Sequence, residues 1–322
     1  MHAHNRCQYI IDDTTRSKVK IPQAGSRYCD KMTFCLGLSE RRNSQNYING
    51  IRLPSFIEKK MLEDLVDFPL QEDDLFVVTY PKSGTVWTLH LTTLIRNTSN
   101  AARSEHLVEQ SMVWLEREGK EAGLALPSPR RFASHLPYHM VPGGAPARSL
   151  AKYIYVARNP KDVAVSFYYH LLRMKSIGNL EWDEFFEMFI SGRTMFGPWF
   201  DHVLEWWQNK DAENILFLRY EDMKRDLPGA VRSISQFMGY DLDQATIESI
   251  AEQSSFENMK ANPMANPDNS KYANHFKEDA GSFMRKGVIG DWKNHFSEEQ
   301  SARFDAEFAR RMAGSGLELA SY

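Results

Sequence analysis

Cysteine and long apolar runs are both scarce in this sequence. Its 322 residues include three cysteines, Cys7, Cys29 and Cys35, an odd number without CxxC spacing. Neither a disulfide framework nor a zinc site is therefore indicated, and reduced thiols in a cytoplasmic protein are the simpler interpretation. No segment approaches the roughly 18 uninterrupted apolar residues of a membrane helix. Residues 1–25 lack the apolar core of a signal peptide, so we expect a cytoplasmic protein without membrane spans.

The sequence also lacks a surplus of charge of either sign. It has 39 Lys and Arg against 42 Asp and Glu, and its formal net charge is -3. This balance argues against a surface-wide interface with nucleic acid or a membrane, so any anion site must be local. With 42% hydrophobic residues the chain can bury a large core. No internal repeat is visible.

The N-terminal part of the sequence differs from the rest. Residues 1–45 mix charge, Asn and Ser with no sustained hydrophobic period, which predicts a loosely ordered arm. We expect residues 46–322 to form a single domain. Its first predicted helix covers residues 56–68, where apolar residues recur at three- and four-residue spacing.

Three strand-turn-helix units follow along the chain. Each begins with a short, β-rich apolar run and continues into a segment of helical length. The predicted strands are residues 74–80, 153–157 and 215–219; the helices are 86–96, the segment after Asn159-Pro160 with Asp162 near its start, and a helix ended by Gly239. Strands separated by helices predict an α/β fold with a central parallel sheet flanked by helices, and ligands at the carboxyl ends of the strands.

The turn of the first unit, TYPKSGTVW, has the composition of an anion-binding loop. Pro81 favours a turn, Gly84 permits a tight backbone, and the amides of residues 83–87 can point at one anion at a helix N-terminus. Lys82 adds a positive charge. The loop lacks the first glycine of the GxxxxGK[ST] pattern, which argues against the alternative of a P-loop kinase of small molecules.

Two motifs at opposite ends of the domain identify a resemblance. YPKSGTVW at residues 80–87 and RKGVIGDWKNHF at residues 285–296 resemble the cytosolic sulfotransferase family. SHLP, ARNPKDVAVS, YEDM and SSFENMKANPM lie between them in the family's order, so the resemblance runs from about Gly50 to the C-terminus. It implies transfer of a sulfonate group from 3'-phosphoadenosine 5'-phosphosulfate (PAPS) to a hydroxyl or amine of a small acceptor such as a phenol, catecholamine or steroid. The product is 3'-phosphoadenosine 5'-phosphate (PAP), and no metal is required.

The resemblance also implies roles for single residues. His135 takes the proton of the acceptor, and Lys82 stabilises the leaving group. Ser166 contacts the 3'-phosphate and holds the lysine until the donor is complete. The donor-binding residues implied in this way are Lys82, Ser83, Gly84, Thr85, Val86, Trp87, Arg158, Ser166, Tyr220, Ser254, Phe256, Arg285, Lys286 and Gly287. Trp87 and Phe256 stack on adenine, and His170 lies with His135 in the acceptor pocket.

Some positions depart from the family pattern. Ala133 stands where relatives often carry a lysine, and Val86 replaces a second threonine. These departures keep open a second hypothesis, a catalytically idle family member that binds the nucleotide and acts as a regulator or scaffold. The segment that relatives use for dimerisation, here residues 293–302, has Glu298 in place of an apolar valine, so we expect a monomer. The long, aperiodic stretch of residues 262–290 is expected to be a functional loop.

Overall fold

The computed structural model describes residues 9–11, 18–20, 47–98, 112–270, 273–279 and 281–319. The chain divides into two units, residues 1–44 and residues 45–322. In the first, strands β1 (Tyr9–Ile11) and β2 (Lys18–Lys20) form an antiparallel pair. The rest of the predicted arm, including all three cysteines, lies outside the described residues.

The second unit opens with a small hairpin. Strands β3 (Tyr47–Ile48) and β4 (Ile51–Arg52) pair antiparallel. Asn49 and Gly50 between them both have positive φ, 53° and 78°. Two positive-φ residues in a two-residue connection are typical of a tight hairpin turn, and Asn-Gly is the sequence that most readily adopts it.

A five-stranded, all-parallel sheet lies at the centre of this unit. Its strands are β5 (Leu75–Thr79), β6 (Val113–Trp114), β7 (Arg131–Ser134), β8 (Lys152–Ala157) and β9 (Ile215–Arg219). The order across the sheet is β6-β7-β5-β8-β9. The predicted α/β fold with a parallel central sheet is thereby confirmed. Strands β6 and β7 were not predicted, because they are short and β7 begins with a charged residue.

Eleven α-helices are found in the described part of the second unit. They are α1 (Lys59–Val66), α2 (Thr85–Asn97), α3 (Leu115–Leu124), α4 (Pro160–Arg173), α5 (Trp182–Ile190), α6 (Trp199–Gln208), α7 (Tyr220–Arg225), α8 (Leu227–Met238), α9 (Gln244–Gln253), α10 (Phe256–Ala261) and α11 (Glu298–Met312). Gly239 ends α8 in the left-handed conformation, as predicted. None of the helices in the described ranges is long and apolar enough to cross a membrane.

Alternating residues of the central strands build two different core layers. Ile154 and Val156 of β8 pack with residues of α2, α8 and α9 in one aliphatic cluster. Tyr155, on the opposite face of the same strand, stacks on Trp206 of α6 with ring centroids 5.0 Å apart. Because successive side chains of a strand point to opposite faces, both faces of the sheet are covered by helices.

The sheet order places β5 between β7 and β8. The chain leaves β5 toward one edge of the sheet and later reaches β8 on the other side, so the order reverses at β5. In open parallel sheets, ligands bind outside the carboxyl ends of the strands at such a reversal. Three predicted site residues, Lys82, His135 and Arg158, follow the ends of β5, β7 and β8, respectively.

Candidate functional site

The loop between β5 and α2 has an unusual backbone conformation. Lys82 has φ of 70°, a left-handed conformation that costs an L-residue about 1 to 2 kcal/mol. Gly84 has φ of 111°, and a Cβ at this position would lie 3.1 Å from the ring of Tyr220. Helix α2 begins at Thr85, so the free amides of its first turn face the carboxyl edge of the sheet. Strain at a lysine beside a helix N-terminus is typical of functional loops.

Lys82 lies in a cationic and partly apolar environment. Its Nζ is 3.6 Å from the centroid of the Phe283 ring. Burial, together with the charges of Arg173 and Arg158, lowers the pKa of Lys82 to about 7, whereas the charge of Asp268 opposes this shift. The amine is therefore close to half-protonated at neutral pH, so a bound anion would shift it toward the charged form.

His135 follows β7 and is fixed as a neutral imidazole. Its Nδ1–H donates to the carbonyl oxygen of Thr79 at 2.7 Å, which leaves the lone pair on Nε2. Burial lowers the pKa of His135 to about 3. The ring packs against Trp114 and Phe196 at centroid distances of 4.7 and 5.3 Å. A neutral imidazole with a fixed tautomer can accept a proton at Nε2.

Two residues that the sequence did not indicate hold the main chain of His135. Glu116 accepts from the His135 amide at 2.7 Å, and His202 Nε2–H donates to the His135 carbonyl at 3.0 Å. Tyr155 in turn donates to His202 Nδ1 at 2.8 Å. Burial raises the pKa of Glu116 to about 7, although the bond from His135 opposes this shift. The sequence around Glu116 and His202 gives little indication of this role, because both residues reach His135 through tertiary contacts.

The residues predicted to bind the 3'-phosphate meet at the end of β8. Residues 281–290, here termed the clamp loop, contain Arg285 and Lys286, which bond to Asp291 at 2.6 and 2.7 Å. Arg158 donates to the carbonyls of Lys82 at 3.0 Å and Val288 at 3.5 Å. The guanidinium of Arg158 thereby connects the β5–α2 loop with the clamp loop. Ser166 of α4 lines a cavity that Arg158, Arg285 and Lys286 also line.

Asp162 attaches the clamp loop to the start of α4. Its carboxylate accepts from the main-chain N–H groups of Gly290 at 2.7 Å and Trp292 at 3.1 Å. The sequence predicted Asp162 only as an acidic residue near the start of a helix. The structure shows that this carboxylate fixes the position from which Arg285 and Lys286 extend.

The predicted adenine-binding residues lie together on the far side of the loop. Trp87 Nε1–H donates to the Ser254 carbonyl at 2.8 Å, and the Trp87 and Tyr220 rings meet edge to face at 5.3 Å. Gly287 has φ of 65°, and a Cβ there would overlap the ring of Phe256. The clamp loop therefore passes directly over Phe256 only because residue 287 is glycine.

One cavity of about 880 Å³ connects these groups. It is lined by every predicted site residue except Ser83, which is buried in the loop behind it. Its aromatic lining residues include Trp114 and Phe196, which contact His135, as well as Phe56 and Phe276. A large, mostly apolar cavity with a few convergent polar groups is the usual form of a small-molecule site.

His170 lies on this aromatic wall. Its ring packs against Phe276 and Phe283 at centroid distances of 5.5 and 5.7 Å. Burial, followed by the charges of Lys82 and Arg173, holds the pKa of His170 well below its ordinary value. The imidazole is therefore neutral.

Metal ligands do not converge at this cavity within the described ranges. No group of three or more His, Cys, Asp or Glu residues is close enough to hold a metal ion there. The cations that line the cavity include Lys82, Arg158, Arg285 and Lys286, and the charge of Arg173 also acts on Lys82.

Comparison with known proteins agrees with this geometry. Residues 72–316 match the sulfotransferase domain family. Amine sulfotransferase of Oryctolagus cuniculus is 41% identical, over 84% of this chain and 92% of the relative. Sulfotransferase 1C2 of Homo sapiens is 39% identical, over 78% of this chain and 86% of the relative.

Solved structures show the same fold. Mouse sulfotransferase SULT7A1 complexed with PAP has a TM-score of 0.71 and 32% identity, covering 83% of this chain and 94% of that chain. Retinol dehydratase in complex with retinol and PAP has a TM-score of 0.75 and 26% identity, covering 82% and 89%. The chain therefore belongs to the sulfotransferase family and is an enzyme of that family.

Proposed function

We propose that this enzyme transfers a sulfonate group from PAPS to a hydroxyl, or an amine, of a small acceptor such as a phenol, catecholamine or steroid. The observation that carries the proposal is the fixed tautomer of His135, whose Nε2 lone pair is available in the cavity that Lys82 also lines. A proton acceptor and a cation in one cavity are the two groups that sulfonate transfer to an oxygen requires.

The residues of the cavity fit the donor PAPS. The amides of the β5–α2 loop and Lys82 suit a 5'-phosphosulfate, and Arg158, Ser166, Arg285 and Lys286 suit a second phosphate. The buried hydroxyl of Ser254, which lines the cavity, has no hydrogen-bond partner among the described residues, so it is available to a ligand. Trp87, Tyr220 and Phe256 provide aromatic surfaces for a base, and the amides of Thr85 and Val86 complete the loop. PAPS supplies the activated sulfonate.

Lys82 is proposed to stabilise the negative charge that develops on the leaving group. Its ammonium needs no reorganisation if the strained loop already aims it at that charge, and a water-poor site strengthens the interaction. Burial, together with the neighbouring arginines, keeps the pKa of Lys82 low in the free protein. An anionic donor counters this effect and favours the protonated, catalytic form.

His135 is proposed to act as the general base. The acceptor hydroxyl would give its proton to Nε2 as its oxygen bonds to sulfur, while the bond from sulfur to the 5'-phosphate oxygen breaks and PAP leaves. The imidazolium keeps its Nδ1–H bond to Thr79. Glu116 and His202 hold the main chain of His135 on two sides, which fixes the direction of Nε2. The aromatic walls near His135, together with His170, are proposed to bind the apolar body of the acceptor.

A panel of phenols, catecholamines, steroids and aliphatic alcohols offered with labelled PAPS tests this proposal. We expect turnover of at least one acceptor class and a loss of about a hundredfold or more in His135→Ala, the usual effect of removing a general base. His139→Ala is the matched control, because His139 pairs with Glu205 on the surface. Tight binding of PAP without any turnover would instead support the catalytically idle member.

Binding of PAP tests the donor assignment separately. Arg158→Ala and Arg285→Ala should each weaken PAP binding by about tenfold or more, as expected for losing a charge-assisted hydrogen bond to a phosphate. Arg303→Ala, which removes a surface ion pair with Glu187, should leave the dissociation constant unchanged. Unchanged binding in the first two variants would contradict the 3'-phosphate site.

A further inference from the structure

The contact between Lys82 and Phe283 joins two loops that are distant in sequence. Lys82 lies in the β5–α2 loop, and Phe283 lies in the clamp loop. The Nζ is 3.6 Å from the centroid of the Phe283 ring, inside the range of a cation–π interaction. Both residues line the cavity. This contact is separate from the one with Ser166 that the family resemblance implies.

Asp268 fixes the position of Phe283. The main-chain N–H of Phe283 donates to both carboxylate oxygens of Asp268, at 2.9 and 3.0 Å. The Ser282 hydroxyl donates to the same carboxylate at 2.7 Å. Burial of Asp268 raises its pKa, but these bonds and the one from Arg173 outweigh the effect and hold the pKa below its usual value. Asp268 therefore remains a carboxylate at neutral pH.

Arg173 connects this carboxylate to helix α4. It is the last residue of α4, and its Nη2 donates to Asp268 at 2.5 Å. Its guanidinium also packs over the rings of Phe276 and Phe283, at 4.6 and 5.6 Å from their centroids. Arg173 is buried, and a buried guanidinium keeps its place because its carboxylate partner is fixed. A continuous set of contacts thus runs from α4 through Asp268 to Phe283.

We propose that Phe283 is a positioning residue for Lys82, and that the Arg173–Asp268 pair fixes the ring against which the lysine rests. The proposal rests on the catalytic role proposed for Lys82. Arg285, Lys286 and Gly287 follow Phe283 in the same clamp loop. When the clamp loop is correctly placed to bind the 3'-phosphate, Phe283 is placed as well. The position of Lys82, which acts at the 5' end of the donor, therefore depends on the same loop.

Competitive acetylation of the donor-free protein tests the contact without an acceptor. Mass spectrometry across pH 7 to 10 gives the limiting rate constant of each lysine, with Lys152 as the internal reference. In Phe283→Leu we expect the rate constant of Lys82 to rise about fivefold, because the covering ring face is lost. Phe283→Tyr should restore the wild-type value, since it keeps the ring. Phe276→Leu is the matched control, because Phe276 lies on the same wall and contacts Arg173.

Asp268→Ala tests the attachment of the ring. It should raise the acetylation of Lys82 as Phe283→Leu does, because Phe283 loses the acceptor of its main-chain N–H. Asp305→Ala, which breaks a salt bridge of Lys161 away from the clamp loop, should not. Thermal denaturation shows whether each variant is folded. A Lys82 rate constant that is unchanged in folded Phe283→Leu would overturn the proposal.

Turnover separates this proposal from the proposed role of Lys82. With an acceptor from the panel, Phe283→Leu should lower kcat about tenfold while PAP binding changes less than about twofold, as expected for a misplaced catalytic group. In a Lys82→Met background the same substitution should have no further effect on kcat. Full activity of Lys82→Met would refute the role of Lys82, whereas additive effects of the two substitutions would refute positioning by Phe283.

Discussion

At the residue scale, the charge of Lys82 is expected to control the pH dependence of the reaction. The pKa of Lys82 in the free protein is lowered to about 7, so the ammonium predominates below that pH and is lost above it. Because the cation is the proposed catalytic form, kcat/KM for the donor should fall as pH rises above about 7, since this parameter reports the free enzyme. Measurement of kcat/KM from pH 5.5 to 9.5 checks this.

Two variants identify the group responsible for that decrease. Lys82→Arg should move the falling limb to higher pH, because a guanidinium stays protonated throughout this range. Glu116 also titrates near pH 7, so Glu116→Gln is the control: the limb should persist in it. A limb that disappears in Glu116→Gln would assign the decrease to Glu116 rather than to Lys82.

A second residue-scale prediction concerns the support of His135 by Glu116. Glu116→Ala removes the acceptor of the His135 amide and leaves a buried N–H unsatisfied, which should lower the free energy of unfolding by about 1 to 3 kcal/mol. It should also lower kcat, because His135 loses one of its two main-chain supports. In Glu116→Gln the amide oxygen can still accept this bond, so most of the activity should remain. Chemical denaturation and steady-state kinetics measure the two effects, and full kcat in Glu116→Ala would contradict the supporting role.

Some residues of the site could be predicted from the sequence, and others could not. Lys82, His135 and Arg158 follow strand ends and lie in contiguous motifs, so local pattern and resemblance were enough to select them. Glu116 and Phe283 contact these residues only after folding, and neither lies in a sequence context that shows the direction of its side chain. A residue that only positions another residue leaves little pattern in the neighbouring sequence from which its role could be predicted.

At the scale of elements, Asp162 of α4 should be more important for donor binding than for helix stability. Asp162→Ala removes the bonds from Gly290, the last residue of the clamp loop, and from Trp292 just after it, so PAP binding should weaken about tenfold. Asp243→Ala is the matched control, because Asp243 is also an acidic residue at the start of a helix, α9, but its side chain accepts from Thr246 within its own turn. Isothermal titration with PAP and thermal denaturation separate the two effects. Equal PAP affinity in both variants would contradict this function of Asp162.

The accuracy of the predicted elements depended on their length and burial. Strands β5, β8 and β9 have five or six residues in apolar runs, and all three were predicted. Strand β6 has two residues and β7 has four, with Arg131 first, and neither run is long enough to show a strand period. Strand β7 is placed in the sheet by pairing with β5, and β6 by pairing with β7, and both pairings are tertiary interactions.

At the scale of the whole molecule, the C-terminal segment that the family resemblance links to dimerisation makes contacts within this chain. Ser297 caps α11 and forms a reciprocal pair with Gln300. Gln300 also accepts from Trp182 at 3.0 Å and donates to Asp183 at 2.8 Å. Lys161 donates to Ser301 at 2.8 Å. These bonds join residues 297–301 to α4 and α5 of the same chain.

We therefore expect the protein to be a monomer. Glu298 places a charge where relatives have a valine, and charged residues are depleted at the centres of stable interfaces. Sedimentation velocity at micromolar concentration should give the mass of one chain. The combined variant Ser297→Thr, Glu298→Val and Ala302→Glu restores the family pattern while threonine keeps the helix cap, and it should shift the protein toward a dimer. A wild-type protein that sediments with twice the mass of one chain would show that dimerisation does not need the valine.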